Sequence, residues 1–302
     1  MSQSNQVATL FWKGPMTPRR SYGLRRAIKF AISVGFFLCS RARDAVGRLT
    51  GRKPPATCVI LYYHAVSCGD RTQFARQMDQ LVRWTTPIAT DNHQALSPGT
   101  HYAGVTFDDG ILSAVKNGIP ELIERKIPAT IFVVANVIDA KPKWATFGPQ
   151  YDVQERIATL EQLKYLPTDL ITIGSHTMTH PWLPALLEAE ARRELSASRE
   201  RLGALLNRNI TLFSFPYGAL NERLVDLCRE AGYERVFTIV PTLAFSDPNE
   251  FMTGRVAVEP TDWRLEFRLK LLGAYRWLPP ILKWKAKFHR TSNPQGAAVF
   301  ED

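Results

Sequence analysis

Two neighbouring carboxylates, Asp108 and Asp109, close an apolar run and are followed at once by Gly110. Side by side at a strand end they repel each other unless a cation or a proton intervenes. Adjacent residues of an extended chain point in opposite directions, so one carboxylate can hold a metal while the other takes a proton. Read alone, the same motif also fits an acidic turn in which Gly110 supplies a positive φ. His176 and His180 stand four apart in His176-Thr177-Met178-Thr179-His180, again just after an apolar run. That spacing brings both imidazoles to one face of a helical turn, or to one end of a tight loop, where both reach a single cation. Two imidazoles and one carboxylate leave metal positions open for water and substrate, whereas two capping histidines would be the bland alternative. A third run ends in Phe213-Ser214-Phe215-Pro216-Tyr217-Gly218. Pro216 removes one donor and fixes the turn, Gly218 permits close backbone approach, and the Tyr217 N–H between them is set to face a bound oxyanion.

Something must bring these groups together. Short apolar, β-branched and aromatic runs at residues 57–63, 102–107, 129–135, 170–173, 210–215 and 235–239 read as buried strands. Helix-like stretches at 74–84, 113–125, 186–206 and 221–231 lie between them. This alternation predicts parallel βα units in an α/β fold, either an open doubly wound sheet or a barrel. Lys53-Pro54-Pro55 breaks the preceding helical pattern and puts the start of the folded domain near residue 55.

The motifs T-F-D-D-G, S-H-T-x-x-H and F-x-F-P-Y-G, in that order, resemble those of the NodB-homology polysaccharide deacetylases, carbohydrate esterase family four. Leu61-Tyr62-Tyr63-His64 is similar to the signature that opens the branch acting on exopolysaccharide poly-N-acetylglucosamine. The resemblance covers about residues 55–262 and implies a distorted (β/α)7 barrel with its site at the strand C-terminal ends. It implies that Asp109, His176 and His180 bind one divalent ion, zinc first and cobalt, nickel or iron as alternatives. Asp108 would then be the general base, and the Tyr217 N–H beside Pro216 an oxyanion donor, in the release of acetate from an acetylated amino sugar. The sequence departs from the family pattern twice: the third motif carries Ser214 where an Arg commonly orients the base, and no His lies between His180 and His289 to act as general acid. The exopolysaccharide branch shares both gaps. His64, at the end of the first strand, becomes the candidate acid, and Arg255 the candidate partner of the base. Competing readings are a catalytically silent barrel that binds glycan, and an oxidative iron enzyme with two histidines and one carboxylate. The second carboxylate, Asp108, disfavours the oxidative reading.

Charge divides the 302 residues into three parts. Residues 1–53 hold 11 Lys/Arg against 1 acid, residues 54–263 hold 19 against 24, and residues 264–302 hold 8 against 3. The folded middle is thus mildly acidic, which excludes a nucleic-acid enzyme with a basic groove and assigns the high charge to flanks suited to anionic lipid or polymer. The composition, 45% hydrophobic and 22% charged, excludes a disordered chain. Residues 30–39 (FAISVGFFLC) form an apolar run too short for the ~20 residues a bilayer span needs. With arginines on both sides, they read as a helix on a membrane surface or as an export signal. A basic N-terminal extension (1–54), a deacetylase domain (55–262) and a basic, aromatic C-terminal extension (263–302) follow. Membrane-associated or periplasmic residence is favoured, with the cytoplasm left open.

Overall fold

The computed structural model describes residues 19–51, 53–144 and 155–279. The extreme N-terminus and the basic aromatic stretch beyond residue 279 lie outside the described residues. Seven α-helices are described: α1 (Arg19–Leu49), α2 (Arg71–Trp84), α3 (Ile119–Glu124), α4 (Leu160–Lys164), α5 (Glu188–Leu206), α6 (Glu222–Glu230) and α7 (Arg264–Leu271). The strands are β1 (Thr57–Tyr63), β2 (Thr86–Pro87), β3 (His101–Phe107), β4 (Ala129–Val133), β5 (Ile171–Ser175), β6 (Leu212–Ser214), β7 (Arg235–Phe237), β8 (Met252–Thr253) and β9 (Val256–Ala257).

All strand pairs are parallel and run β8-β7-β6-β5-β4-β3-β1-β9, with β2 added along the start of β3. The two ends of this path are consecutive in the chain. β8 borders β7, β9 borders β1, and only Gly254 and Arg255 separate them, so one extended segment edges both sides of the sheet and makes a seventh stave. This is the curled (β/α) barrel of the NodB type. A Cβ on Gly254 would lie 2.3 Å from the Val240 carbonyl oxygen, so only glycine lets the segment cross the gap.

Strand alternation sorts the core into two layers. Val59, Leu61, Val105, Phe107, Ile131 and Val133 face the helices, whereas Cys58, Ile60, Phe132, Leu212 and Phe237 fill the barrel interior. Each fully buried Leu, Ile or Phe contributes roughly 1.5–3 kcal/mol. Two arginines are buried inside this apolar wall, Arg235 and Arg255. Burying a guanidinium is tolerable only with partners; Arg235 donates to the carbonyls of Thr90 (2.8 Å) and Glu250 (3.2 Å).

The stretch after residue 263 packs on the domain as far as it is described. Phe267 and Leu271 enter the main core, and Leu269, Ala274 and Tyr275 form a separate cluster with Phe30, Val34 and Phe37 of α1. Arg26 reinforces the contact with bonds of 2.6 and 2.8 Å to Glu266, and Trp277 donates to the Ser33 hydroxyl at 2.9 Å. Half of the apolar run at 30–39 is therefore spent on docking α1 against the barrel flank.

Candidate active site

The Asp108 N–H still belongs to the β3 ladder, donating to the Tyr63 carbonyl at 2.9 Å. Asp109 (φ 70°) and Gly110 (φ 74°) then leave the strand in left-handed conformation. Strand alternation was the expected reason for the two carboxylates to part; the left-handed turn is what points Asp109 away from Asp108.

Asp109 Oδ1 lies 3.4 Å from His176 Nε2 and 3.3 Å from His180 Nε2, and all three side chains are buried. Two donors about 2.1 Å from a tetrahedral ion stand about 3.4 Å apart, so these separations suit one small divalent cation. His176 follows β5 and its Nδ1 donates to the Ser214 carbonyl at 2.7 Å. Because a carbonyl can only accept, the proton sits on Nδ1 and the Nε2 lone pair faces Asp109. Burial pushes the His180 pKa below its ordinary value against the pull of Asp109, which favours the neutral ring that a metal requires. Asp109 Oδ1 and His180 Nδ1 are buried without a hydrogen-bond partner. An orphaned carboxylate oxygen facing two imidazoles fits a cation.

His176 and His180 sit on a tight loop, with Thr177 (φ 70°) and His180 (φ 63°) left-handed. Such backbone costs about 1–3 kcal/mol per residue unless its surroundings over-determine it. Glu194 of α5 does so, accepting from the Met178 N–H (2.9 Å), the Thr179 N–H (3.0 Å) and the Thr179 hydroxyl (2.8 Å).

Asp108 faces the barrel axis and pairs with Arg255 through two parallel bonds, Nη1 to Oδ1 at 2.7 Å and Nη2 to Oδ2 at 2.8 Å. Arg255 also donates to the hydroxyls of Ser214 (2.7 Å) and Thr106 (3.1 Å) and lies over the Tyr62 ring at 4.7 Å. Burial pushes the Asp108 carboxyl up, but Arg255, with help from His176 and His64, outweighs it and holds the group below its ordinary value.

Tyr217 is left-handed (φ 59°) between buried Pro216 and Gly218, and its ring meets the edge of His180 at 4.6 Å. His64 is half-buried just past β1, edge-on to Tyr62 at 5.8 Å, within electrostatic reach of Asp108, Asp109 and His180. All eight residues singled out in the sequence, Pro216 included, therefore lie on one rim.

Residues 96–236 match the family described as Polysaccharide deacetylase. YxkH of Bacillus subtilis, itself assigned as a polysaccharide deacetylase, is 25% identical over 220 residues, 68% of this chain and 73% of that one. The structure of IcaB from Ammonifex degensii superposes with a TM-score of 0.60 at 25% identity, covering 72% of this chain and 98% of that one. Residues 96–236 of the barrel thus match the polysaccharide deacetylase family, and the barrel as a whole is similar to its members. The Streptococcus pyogenes deacetylase PplD in complex with acetate shares the fold, with a TM-score of 0.59 at 18% identity over 72% of this chain and 99% of that one. As a polysaccharide deacetylase, the chain is a hydrolase that deacetylates a glycan.

Two side chains of this deacetylase site escaped the sequence reading. The Trp144 indole N–H donates to Asp109 Oδ2 at 3.2 Å, and its ring stacks on His180 at 4.2 Å. Trp144 stands in the connection after β4, within Lys141-Pro142-Lys143-Trp144, where no periodicity or motif marks it. Glu194 occupies one of many polar helix positions, and only the fold brings it under the histidine loop.

Proposed function

We propose that this deacetylase hydrolyses the N-acetyl groups of amino sugars in a bacterial surface polysaccharide or exopolysaccharide, releasing acetate and leaving a free amine. The observation that carries the reading is the separation of tasks between neighbouring carboxylates: Asp109 faces two imidazoles and Asp108 faces a guanidinium.

In this reading Asp109, His176 and His180 hold one divalent ion, zinc by the mixed imidazole and carboxylate donors, with cobalt, nickel or iron as alternatives. Bound there, such an ion supplies an acidified water and a charge that polarises the acetamide carbonyl. Asp108, kept ionised and fixed in orientation by Arg255, takes the water proton. The Tyr217 N–H donates to the oxyanion that develops as water adds to the carbonyl carbon, and Pro216 holds the turn that aims it. His64 delivers a proton to the sugar nitrogen as the C–N bond breaks, because an amide anion is too poor a leaving group. Ser214 takes no proton in this scheme: its hydroxyl accepts from Arg255, while its backbone carbonyl orients His176. The same position that lacks the family's usual Arg thus ties Arg255 to the metal-binding side. The Y-H signature at Tyr63-His64 supports an exopolysaccharide substrate.

The test is acetate release from a panel of acetylated glycans, including short N-acetylglucosamine oligomers, before and after chelation and with each metal restored. Loss on chelation, recovery with zinc and preference for an N-acetylglucosamine polymer are expected. Full activity in the chelated protein would overturn the metal assignment. For His64, the His64→Ala variant should lose turnover and the alkaline limb of its pH profile; an unchanged profile would remove His64 from the reaction.

A further inference from the structure

The side of α1 turned away from the barrel is bare. Leu24, Ile28, Ile32, Leu38, Val46 and Leu49 are between 42% and 88% exposed. At about 100° per residue they fall within a sector of about 120°, turned away from the docked Phe30, Val34 and Phe37, and from Ser21 onward no charged residue lies inside it, Arg20 falling on its edge. Exposed Arg43 borders the sector on one side, whereas exposed Arg41 and Arg48 stand about 60° and 80° beyond its other edge, at the angles of the docked residues. The whole helix holds eight basic residues against one acidic residue, Asp44, which falls on the docked side.

An apolar stripe on a strongly basic helix, with Arg43 at its edge, matches the boundary between acyl chains and headgroups, where the stripe sinks and the long cationic side chains reach up to anionic groups. Charge selects among the occupants. The basic stretch beyond residue 279, with Lys283, Lys285, Lys287 and Arg290, carries the same sign as α1 and is repelled by its excess of arginines. A second copy of α1 would likewise set positive against positive. An anionic lipid surface is complementary in both charge and polarity. Among the described residues no helix is long and apolar enough to cross a membrane, so the contact is one of lying in the surface. We propose that α1 lies in the headgroup layer of an anionic bilayer, stripe inward, and tethers the barrel to it.

Sedimentation of the full chain with lipid vesicles tests this. The protein should pellet with vesicles of phosphatidylcholine and phosphatidylglycerol in two-to-one ratio, remain in solution with phosphatidylcholine alone, and be released by high salt. A Leu24→Gln/Ile28→Gln/Leu38→Gln variant, altered only at exposed positions, should bind the anionic vesicles at least about tenfold more weakly. An Arg41→Glu/Arg43→Glu/Arg48→Glu variant should do the same. Both should keep the wild-type thermal midpoint and unchanged acetate release from a short soluble oligomer. Thermal midpoint and lipid binding are read without hydrolysis, so failure of the substrate assignment would appear separately. The proposal is overturned if the full chain ignores anionic vesicles, or if the apolar-stripe variant pellets as wild type does. It is equally overturned if the stripe instead supports a concentration-dependent dimer while vesicles stay unbound.

Discussion

Asp108 and Asp109 share a peptide bond yet meet opposite surroundings. Asp109 has an oxygen with no donor; both oxygens of Asp108 are held by one guanidinium. Asp108→Asn should therefore leave metal stoichiometry intact while lowering kcat by about two to four orders of magnitude, measured by elemental analysis beside acetate release. Loss of the metal with residual turnover in proportion to occupancy would show that the two roles are exchanged. The pH dependence follows from sign. Because the folded Asp108 carboxyl sits below its ordinary value, the ionised carboxylate persists above that value and is lost only as pH falls through the depressed one. The acid limb of kcat/KM should lie below the ordinary carboxylate range. In Arg255→Met burial is opposed only by His176 and His64 and the acid limb should move up, with a stability loss of about 3–5 kcal/mol from the poorly compensated buried charge. Arg255→Lys should restore stability in part without restoring the two-bond geometry. An unmoved acid limb in both variants would separate Arg255 from the base.

At the scale of elements, the loop after β5 presents the histidines in a conformation that is costly by itself, and α5 reaches across to hold it through Glu194. Glu194→Ala should weaken metal affinity by about 10–100-fold, read by calorimetric titration, while the thermal midpoint stays near wild type. Unchanged affinity would mean that the loop is fixed by Thr177 and its neighbours. The long strands were legible because their β-branched and aromatic runs are bounded by turn residues; β1 at Thr57–Tyr63 coincides with the run read from sequence. β8 and β9 were not legible. Two residues each, divided by Gly254 and Arg255, give no periodicity, and their strand character comes from the neighbours whose edges they complete. Arg255 itself was reached only through the absence of an arginine at Ser214, and Trp144 had no local signal because its partners are 35 and 36 positions distant in the chain.

Across the whole molecule, the acidic middle and basic flanks meet at one clasp, where Arg26 of α1 bonds Glu266 and approaches Asp262 at 3.4 Å while covering Trp263 at 4.7 Å. Arg26→Ala should loosen α1 from α7 and open the helix to limited proteolysis while a protected barrel core persists; equal protection in both proteins would show that the apolar contacts of Phe30, Val34 and Phe37 suffice. The closing stave has a consequence of another kind, concerning the order in which the chain is made. Asp109, His176 and His180 all leave the ribosome before Arg255, the residue that lies between the two halves of the last stave. A growing chain thus carries its candidate metal donors while the guanidinium that keeps Asp108 ionised against burial has yet to be synthesised. In the proposed mechanism hydrolytic competence would arrive with the final wall of the barrel, and an unfinished or unclosed enzyme would hold its donors without spending substrate.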